Sequence, residues 1–454
     1  MKSGLFANEP LPPAARRAIV AGFVGFAVDF FDIYLPALVL VPVMGYFEPK
    51  GLNSTVTTTI YYFTIVATLL GRPCGAVIFG HWADKIGRRR TTMISIAGFG
   101  FFTALIAFLP GDDTIGVWSL ALLIAIRFVG GIFMGGEYTS NNTMALEMVP
   151  KDRRGFVGGL IQGAFPLGFL LTTVVTTTML SITTKDQYYA WGWRVPFLIG
   201  FAIAMAFLLY YRTVPESTVW QESEKSAAPL KEVLSGSHLR TLGQIFIMMT
   251  GFWFVGQPST LLPSIMIQHL HVPSEMTSNG FLFASIGLFF AFIGYGLLSQ
   301  MIGRRRGIII ASTVVLVAGP LLYYAMIVHA LSGGSPLVTT ILAGAFHVVA
   351  ISPWGIVTVY ICERFPTHVR ASGYGIGYSL AVVIPSFSGI YVLWIAQVMP
   401  YLFAPIVLLV LAGVFMIAGA MLGPETRGVE LHLPDLGLGR AQAAAAPAAI
   451  PRPA

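Results

Sequence analysis

Five ionisable side chains, Asp29, Asp32, Arg72, Arg127 and Glu137, stand inside long apolar stretches of the sequence. If those stretches span a bilayer, an ionised group near its centre costs about 2.5–3.5 kcal/mol even on the lenient insertion scale, so each must face a cavity or a partner. Asp29 and Asp32 are three residues apart and share a helical face. Two carboxyls that close resist ionising together, which equips one of them to take up and release a proton. A competing reading is that one of them pairs with Arg72 or Arg127 merely to hold helices together. Arg127 is always charged and presents a planar fork suited to a carboxylate, whether that of a ligand or that of Asp29 or Asp32. Arg72 has the same two roles open to it. Glu137 follows Arg127 by ten residues, about 15 Å along one helix, so the two do not pair directly; a proton relay and an inter-helix hydrogen bond fit it equally.

Uncharged candidates are fewer. Trp253, Gln257 and Pro258 in one apolar run and Gln162 in another have the types that line a cavity, and His347, with Pro353 and Trp354 nearby, can titrate or contact a ligand. A lone membrane histidine more often hydrogen-bonds a neighbouring helix. Gly131-x-x-x-Gly135, Gly159-x-x-x-Gly163 and Gly373-x-x-x-Gly377 let helix backbones approach, which is packing rather than a binding site. There is no Ser and His constellation, no His-x-x-x-His and no ATP motif, and Cys74 and Cys362 have no motif spacing, so no catalytic centre, cofactor, disulfide framework or metal site is expected.

The elements that must position these residues are read from composition. Of 454 residues, 56% are hydrophobic and 10% charged, against about 25% charged in ordinary soluble domains. Twelve apolar runs are each long enough for the about 20 residues that a bilayer-spanning helix needs: 17–46, 57–82, 91–110, 116–146, 155–181, 190–211, 240–268, 278–301, 307–330, 337–362, 370–398 and 400–423. The first follows Arg16 and Arg17 but is too long for a signal peptide, holds two acids and lacks a small-residue cleavage site. With the N-terminus inside, the cytoplasmic segments collect Lys85, Arg88, Arg89, Arg90, Lys151, Arg153, Arg154, Arg212, Lys225, Lys231, Arg240, Arg304, Arg305, Arg306, Arg364 and Arg370, whereas the opposite face holds Lys50 and Lys185. That is the positive-inside pattern, so both termini are expected in the cytoplasm. The net charge of +7 belongs to this asymmetry and not to nucleic acid binding.

The chain also repeats itself. Gly80-His81-Trp82-Ala83-Asp84-Lys85-Ile86-Gly87-Arg88-Arg89-Arg90 after the second run recurs as Gly296-Leu297-Leu298-Ser299-Gln300-Met301-Ile302-Gly303-Arg304-Arg305-Arg306 after the eighth, displaced by 216 residues. Glu147-x-x-Pro150-x-x-x-Arg154 recurs at the same displacement as Glu363-x-x-Pro366-x-x-x-Arg370. Two motifs at one offset mark a duplicated six-helix unit. A weaker echo, Pro215-Glu216-Ser217 and Pro424-Glu425-Thr426, is offset by 209.

On these residues the chain resembles the major facilitator superfamily, whose signature loop is the Gly-x-x-x-Asp-x-x-Gly-Arg-Arg pattern. Within it the sequence is similar to the metabolite:proton symporter group and its sugar-porter relatives, through Arg72-Pro73 ahead of Gly80-His81, Arg127-x-x-x-Gly131-x-x-x-Gly135-Gly136-Glu137, Trp191-Gly192-Trp193-Arg194-Val195-Pro196-Phe197 and Glu363-Arg364-Phe365-Pro366-Thr367. Two departures stand out. Gln300 replaces the usual acid, and Asp29-Phe30-Phe31-Asp32 stands where that group often has Glu-Trp-Tyr-Asp.

The resemblance implies an all-α membrane protein of two pseudo-symmetric six-helix bundles (1–211 and 240–423), a cytoplasmic linker (212–239) and a disordered tail (424–454). It implies a coupling or binding role for Arg127. It also implies a cytoplasmic gate of Gly80, Asp84, Gly87, Arg88, Arg89, Glu147, Arg154, Glu363 and Arg370, in which Asp84 accepts hydrogen bonds at a helix N-terminus while the arginines pair with acids such as Glu147 or Glu216. Anchoring to anionic lipid headgroups would explain the sign of those arginines but not the spacing of Gly80 and Gly87. The expected function is proton-coupled import of a small organic metabolite, a carboxylate first, by alternating access in a bacterial inner membrane. Protons would be carried by Asp29, Asp32 and Glu137, and substrate held by Arg127, Arg72, Gln162, Trp253, Gln257, His347 and Trp354. A sugar or polyol symporter or facilitator is the alternative, and a metabolite or drug exporter a further one. Expected partners are the substrate, the proton and the lipid bilayer, with no need of an oligomer.

Overall fold

Long apolar runs become helices because lipid offers no partner to backbone N–H and C=O groups, and a helix satisfies them within the segment. The computed structural model describes residues 10–48 and 54–431; Lys50 and residues 432–454 lie outside the described residues, while residues 424–431, the start of the tail (424–454) expected to be disordered, are placed, with Glu425 and Thr426 hydrogen-bonded. Among the described residues the twelve long helices are α1 (Pro13–Val39), α2 (Ser54–Ile86), α3 (Arg88–Ala107), α4 (Trp118–Glu147), α5 (Arg154–Ile182), α6 (Arg194–Tyr211), α7 (Gly236–His269), α8 (Ser274–Ile302), α9 (Arg304–Leu331), α10 (Pro336–Cys362), α11 (Thr367–Ile395) and α12 (Tyr401–Leu422). They form two six-helix bundles, α1–α6 and α7–α12. Large apolar side chains such as Phe283 (71% exposed) and Phe290 (65%) point outward, as a lipid-facing surface requires.

Three details depart from a simple reading of the apolar runs. The first helix stops at Val39 and a short 3-10 turn, Val41–Tyr46, completes the run. The tenth is interrupted at Ser352-Pro353, between Pro336–Ile351 and Trp354–Cys362. The eleventh is helical over Arg370–Ser379, loosens into tight turns around Pro385, and resumes at Ser388–Ile395. Proline removes a helix hydrogen bond and crowds the preceding turn, which accounts for the interruptions beside Pro353 and Pro385. The linker holds two short helices, Thr218–Glu222 and Pro229–Val233.

The bundles meet chiefly through α5 against α8 and α2 against α11. Glycine makes the approach possible. A Cβ on Gly155 would lie 2.4 Å from the Gly296 carbonyl oxygen, and one on Gly159 2.5 Å from that of Phe292. These contacts lie toward the face that carries the signature loops, which is therefore closed.

Candidate functional site

Each signature loop is built around one backbone requirement. Gly87 and Gly303 both have φ of +107°, a conformation that L side chains rarely adopt, and each starts the next helix at once. The free N–H groups of that helix then receive an acid from far along the chain. Glu216 accepts from Arg88 N at 3.1 Å and from Arg89 N at 3.1 and 3.2 Å; Glu425 accepts from Arg304 N at 2.6 Å and Arg305 N at 3.1 Å. A carboxylate at a helix N-terminus is doubly favoured, by the open N–H groups and by the helix dipole. Glu216 is only partly solvated, and that burial raises its pKa above the usual carboxylate value.

Across the bundle interface, the Asp84 carboxylate accepts from Ala371 N (3.1 Å), Ser372 N (2.9 Å) and Ser372 Oγ (2.7 Å) at the start of α11, while Arg88 Nη1 donates to it from its own bundle (2.8 Å). Arg88 Nη2 reaches Glu147 (3.1 Å) and the Thr367 carbonyl (2.8 Å), and Arg370 Nη1 reaches the same Glu147 oxygen (2.8 Å). Ser217 Oγ donates to the other Glu147 oxygen at 2.5 Å. All are buried. The second repeat reproduces the arrangement: Glu363 takes Arg304 Nη2 (3.2 Å), Thr426 Oγ1 (2.7 Å) and, at 3.9 Å, Arg154 Nη1. Gln300 Oε1 accepts from Gly155 N at 3.0 Å, the repeat counterpart of the Asp84 to Ala371 bond. The gate candidates Gly80, Asp84, Gly87, Arg88, Glu147, Arg154, Glu363 and Arg370 thus meet at the closed face, with a Cβ on Gly80 only 2.9 Å from Ser372 Cα. Arg89 stands slightly apart, donating to the Arg212 carbonyl at 2.7 Å.

Deeper in, the two acids of α1 part company. Asp32 takes Arg127 Nη1 of α4 at 3.2 Å and a hydrogen bond from Thr103 Oγ1 of α3, in the interior of the first bundle. The Asp29 carboxyl instead lies against Glu137, with Arg72 the cation acting on it; Glu137 is held by Asn141 Nδ2 at 2.7 Å. Arg72 is 2% exposed and stacks over the Tyr138 ring, 4.6 Å to the centroid. Its Nε and Nη2 have no hydrogen-bond partner among the described residues.

Tyr138 carries this cluster to the other bundle. Its hydroxyl meets Ser379 Oγ and its ring lies 5.1 Å from that of Tyr378. Behind Tyr378 stand Trp354 (5.7 Å) and Trp253 (5.8 Å), the latter pinned through Nε1 to the Tyr378 carbonyl at 2.9 Å. Gln162 Nε2 donates across the interface to Thr358 Oγ1 at 2.7 Å, and Asn142 Nδ2 to the Tyr374 hydroxyl at 3.2 Å. Gln257 lies one turn beyond Trp253 and is partly buried. His347 packs edge-on against Phe281 of α8, and its Nδ1 is buried without a partner among the described residues. Trp354 and Ser379 stand at the two helix interruptions, where freed backbone can face a cavity.

Tyr138, Ser379, Tyr374, Tyr378, Thr103 and Ser372 escaped sequence reasoning. A signal existed for one: Tyr138 and Trp354 are separated by the repeat distance of 216.

Two inward-facing helical bundles, a buried cluster of charge and aromatic rings between them and a latch on one face define a membrane-embedded, multi-pass transporter and not an enzyme. The profile of the Major Facilitator Superfamily matches residues 18–390, and the chain belongs to that family. Among its relatives, the inner membrane metabolite transport protein YhjE of Escherichia coli is 30% identical over 383 residues, 81% of this chain and 85% of that protein. The alpha-ketoglutarate permease of the same organism is 31% identical over 387 residues (83% and 86%), and its shikimate transporter 27% over 385 (82% and 85%). The proton:xylose symporter XylE bound to 6-bromo-6-deoxy-D-glucose has the same fold, with TM-score 0.72 at 18% identity, covering 92% of this chain and 98% of that one. The human organic anion transporter MFSD10 has it too, with TM-score 0.66 at 15% identity and coverage of 91% and 100%.

Proposed function

We propose that the chain imports a small organic carboxylate together with protons across a bacterial inner membrane, by alternating access, with both termini and the latched face in the cytoplasm. The observation that carries this reading is Arg72, a buried guanidinium with unpartnered donors at the seam of the two bundles. Asp29 and Glu137 act on that charge without taking its two unpartnered N–H groups, so an anion that reaches them adds bonds the site otherwise lacks. A substrate carboxylate supplies that anion, while the ring systems of Tyr138, Tyr378, Trp354 and Trp253 supply an apolar wall.

Asp32 and Arg127 form the proton-linked pair in this reading. A proton on Asp32 replaces an ion pair by an ordinary hydrogen bond and lets α1, α3 and α4 shift. Asp29 and Glu137, two carboxyls side by side, are placed to respond to both the proton and the anion at Arg72. Only ligands that prefer the moving state can drive it, so proton and carboxylate act together by cancelling charge. The positive charge of the latched face supports the cytoplasmic orientation, and relatives bearing the names of an alpha-ketoglutarate permease and a shikimate transporter support the substrate class.

A neutral hydroxylated ring is the second reading, favoured by the amides and indoles of Gln162, Gln257, Trp253 and Trp354. Uptake of labelled mono- and dicarboxylates, betaines and sugars into proteoliposomes under an imposed proton gradient separates them. Accumulation of a carboxylate that collapses with the gradient and in Asp32→Asn supports symport of an acid. Sugar uptake, or uptake indifferent to gradient and mutation, overturns it.

A further inference from the structure

One cavity lies outside the transport path. Between the start of α3, the end of α6 and the linker, a hollow of about 520 Å³ is lined by Ile86, Arg89, Arg90, Arg212, Glu216 and Trp220. Three arginines face a single acid there, and that acid is committed, since Glu216 is bonded to the N–H groups that open α3. Arg89 spends Nη2 on the Arg212 carbonyl, while its Nε is buried without a partner among the described residues. The side chains of Arg90 and Arg212 are exposed. Lys225 stacks on the Trp220 ring at 3.8 Å and adds a fourth positive charge nearby. The hollow opens where two spanning helices end, beside outward-facing apolar side chains such as Trp82, Ile86 and Leu209. That is the depth of a phospholipid headgroup.

We propose that this hollow is a binding site for a phosphate group, that of an anionic phospholipid in the leaflet at the latched face. Arginine forks match phosphate oxygens in shape as well as charge, and Ile86 with its apolar neighbours receives the glycerol and acyl portion. The wall of the site is part of the latch: Glu216 caps α3, and Trp220 Nε1 donates to the Asp84 carbonyl at 3.0 Å. An occupied site therefore braces the closed face.

The test uses the full-length protein and three probes: phosphatidylglycerol, phosphatidylcholine and inorganic phosphate. Bound lipid is counted by native mass spectrometry and thermal protection is measured in parallel. Each arginine near an anionic surface is worth about fivefold in affinity, so Arg90→Gln with Arg212→Gln weakens phosphatidylglycerol binding about 25-fold. Arg306→Gln, the repeat counterpart of Arg90 on the other bundle, leaves that binding intact and controls for diffuse surface charge. Protection by phosphatidylglycerol alone, lost in the double variant, identifies the lipid source; equal protection by inorganic phosphate, also lost there, places a soluble phosphate in the same site. Equal binding of both lipids, or loss of binding in Arg306→Gln as large as in the double variant, overturns the proposal.

Discussion

Replacing Asp84 by asparagine tests whether the closed face is held by charge. The carboxylate takes three hydrogen bonds from the opposite bundle, from Ala371 N, Ser372 N and Ser372 Oγ, at 2.7–3.1 Å in a buried setting. Bonds to a charged group contribute about 1.5–3 kcal/mol each and neutral ones about 1. Asparagine keeps one acceptor oxygen, turns the other position into a donor facing donors, and gives up its interaction with the dipole of α11. The closed face should lose about 3 kcal/mol relative to the open one, close to a 150-fold change in their ratio. Pulsed electron paramagnetic resonance between nitroxides at Lys85 and Arg306, which are exposed on opposite bundles, reads this directly once the exposed Cys74 is replaced by serine. The longer distance should dominate in Asp84→Asn. Gln300→Ala, which loses two neutral bonds to Gly155 N and the Lys151 carbonyl, should shift the distribution by less. Unchanged distances in Asp84→Asn, or a larger effect from Gln300→Ala, would refute the charge-latch reasoning.

Other consequences are simpler to state. Arg72→Gln should raise the KM for a transported carboxylate by tenfold or more, from the loss of about 1.5–3 kcal/mol of charge-assisted bonding, while Arg72→Lys restores part of it; initial-rate uptake decides. Asp32→Asn should abolish accumulation against a gradient yet retain exchange of labelled for unlabelled substrate, measured in counterflow. Gly159→Ala places a Cβ 2.5 Å from the Phe292 carbonyl oxygen and should hold the latched face apart, seen as cysteine accessibility at that face and a fall of transport below about a tenth.

Much of the fold was legible because lipid leaves the chain so few options. Apolar runs had to become helices, and basic residues had to gather at one face, so number, pairing and repeat followed from hydropathy and one offset. The signature loops were legible for a related reason: Gly87 and Gly303 hold a backbone that L side chains rarely adopt, and both repeats keep it. The echo at Pro215-Glu216-Ser217 and Pro424-Glu425-Thr426 looked slight in the sequence, yet Glu216 and Glu425 cap α3 and α9 while Ser217 and Thr426 bond the two gate glutamates. A capping acid distant in sequence announces itself only in three dimensions. Asp29 and Asp32 were harder. Spacing puts both on one face of α1, but α3 with α4 claims Asp32 through Thr103 and Arg127, and Glu137 lies against Asp29. Helical periodicity fixes direction, and the neighbouring helices decide the partner.

The two repeats diverge in their intramembrane charges and agree in the charges of their signature loops. At the 216-residue displacement the charged residues Asp29, Asp32, Arg72, Arg127 and Glu137 correspond to Ile245, Met248, Leu288, Ala343 and Pro353, none of them charged. Arg88, Glu147 and Arg154, by contrast, correspond to Arg304, Glu363 and Arg370. A latch that joins two bundles works best when each offers the other the same surface, whereas a charge-sensing centre needs a single interior in which gain or loss of a proton alters packing. Helix α4 links the two. It carries Arg127, Glu137 and Tyr138 and ends at Glu147, so the Asp32 partner and the latch glutamate are twenty residues, about 30 Å, apart on one rigid rod. In the proposed mechanism, neutralising Asp32 would shift that rod and with it the acid that holds Arg88 and Arg370, so that a proton bound in one bundle would release a contact shared by both.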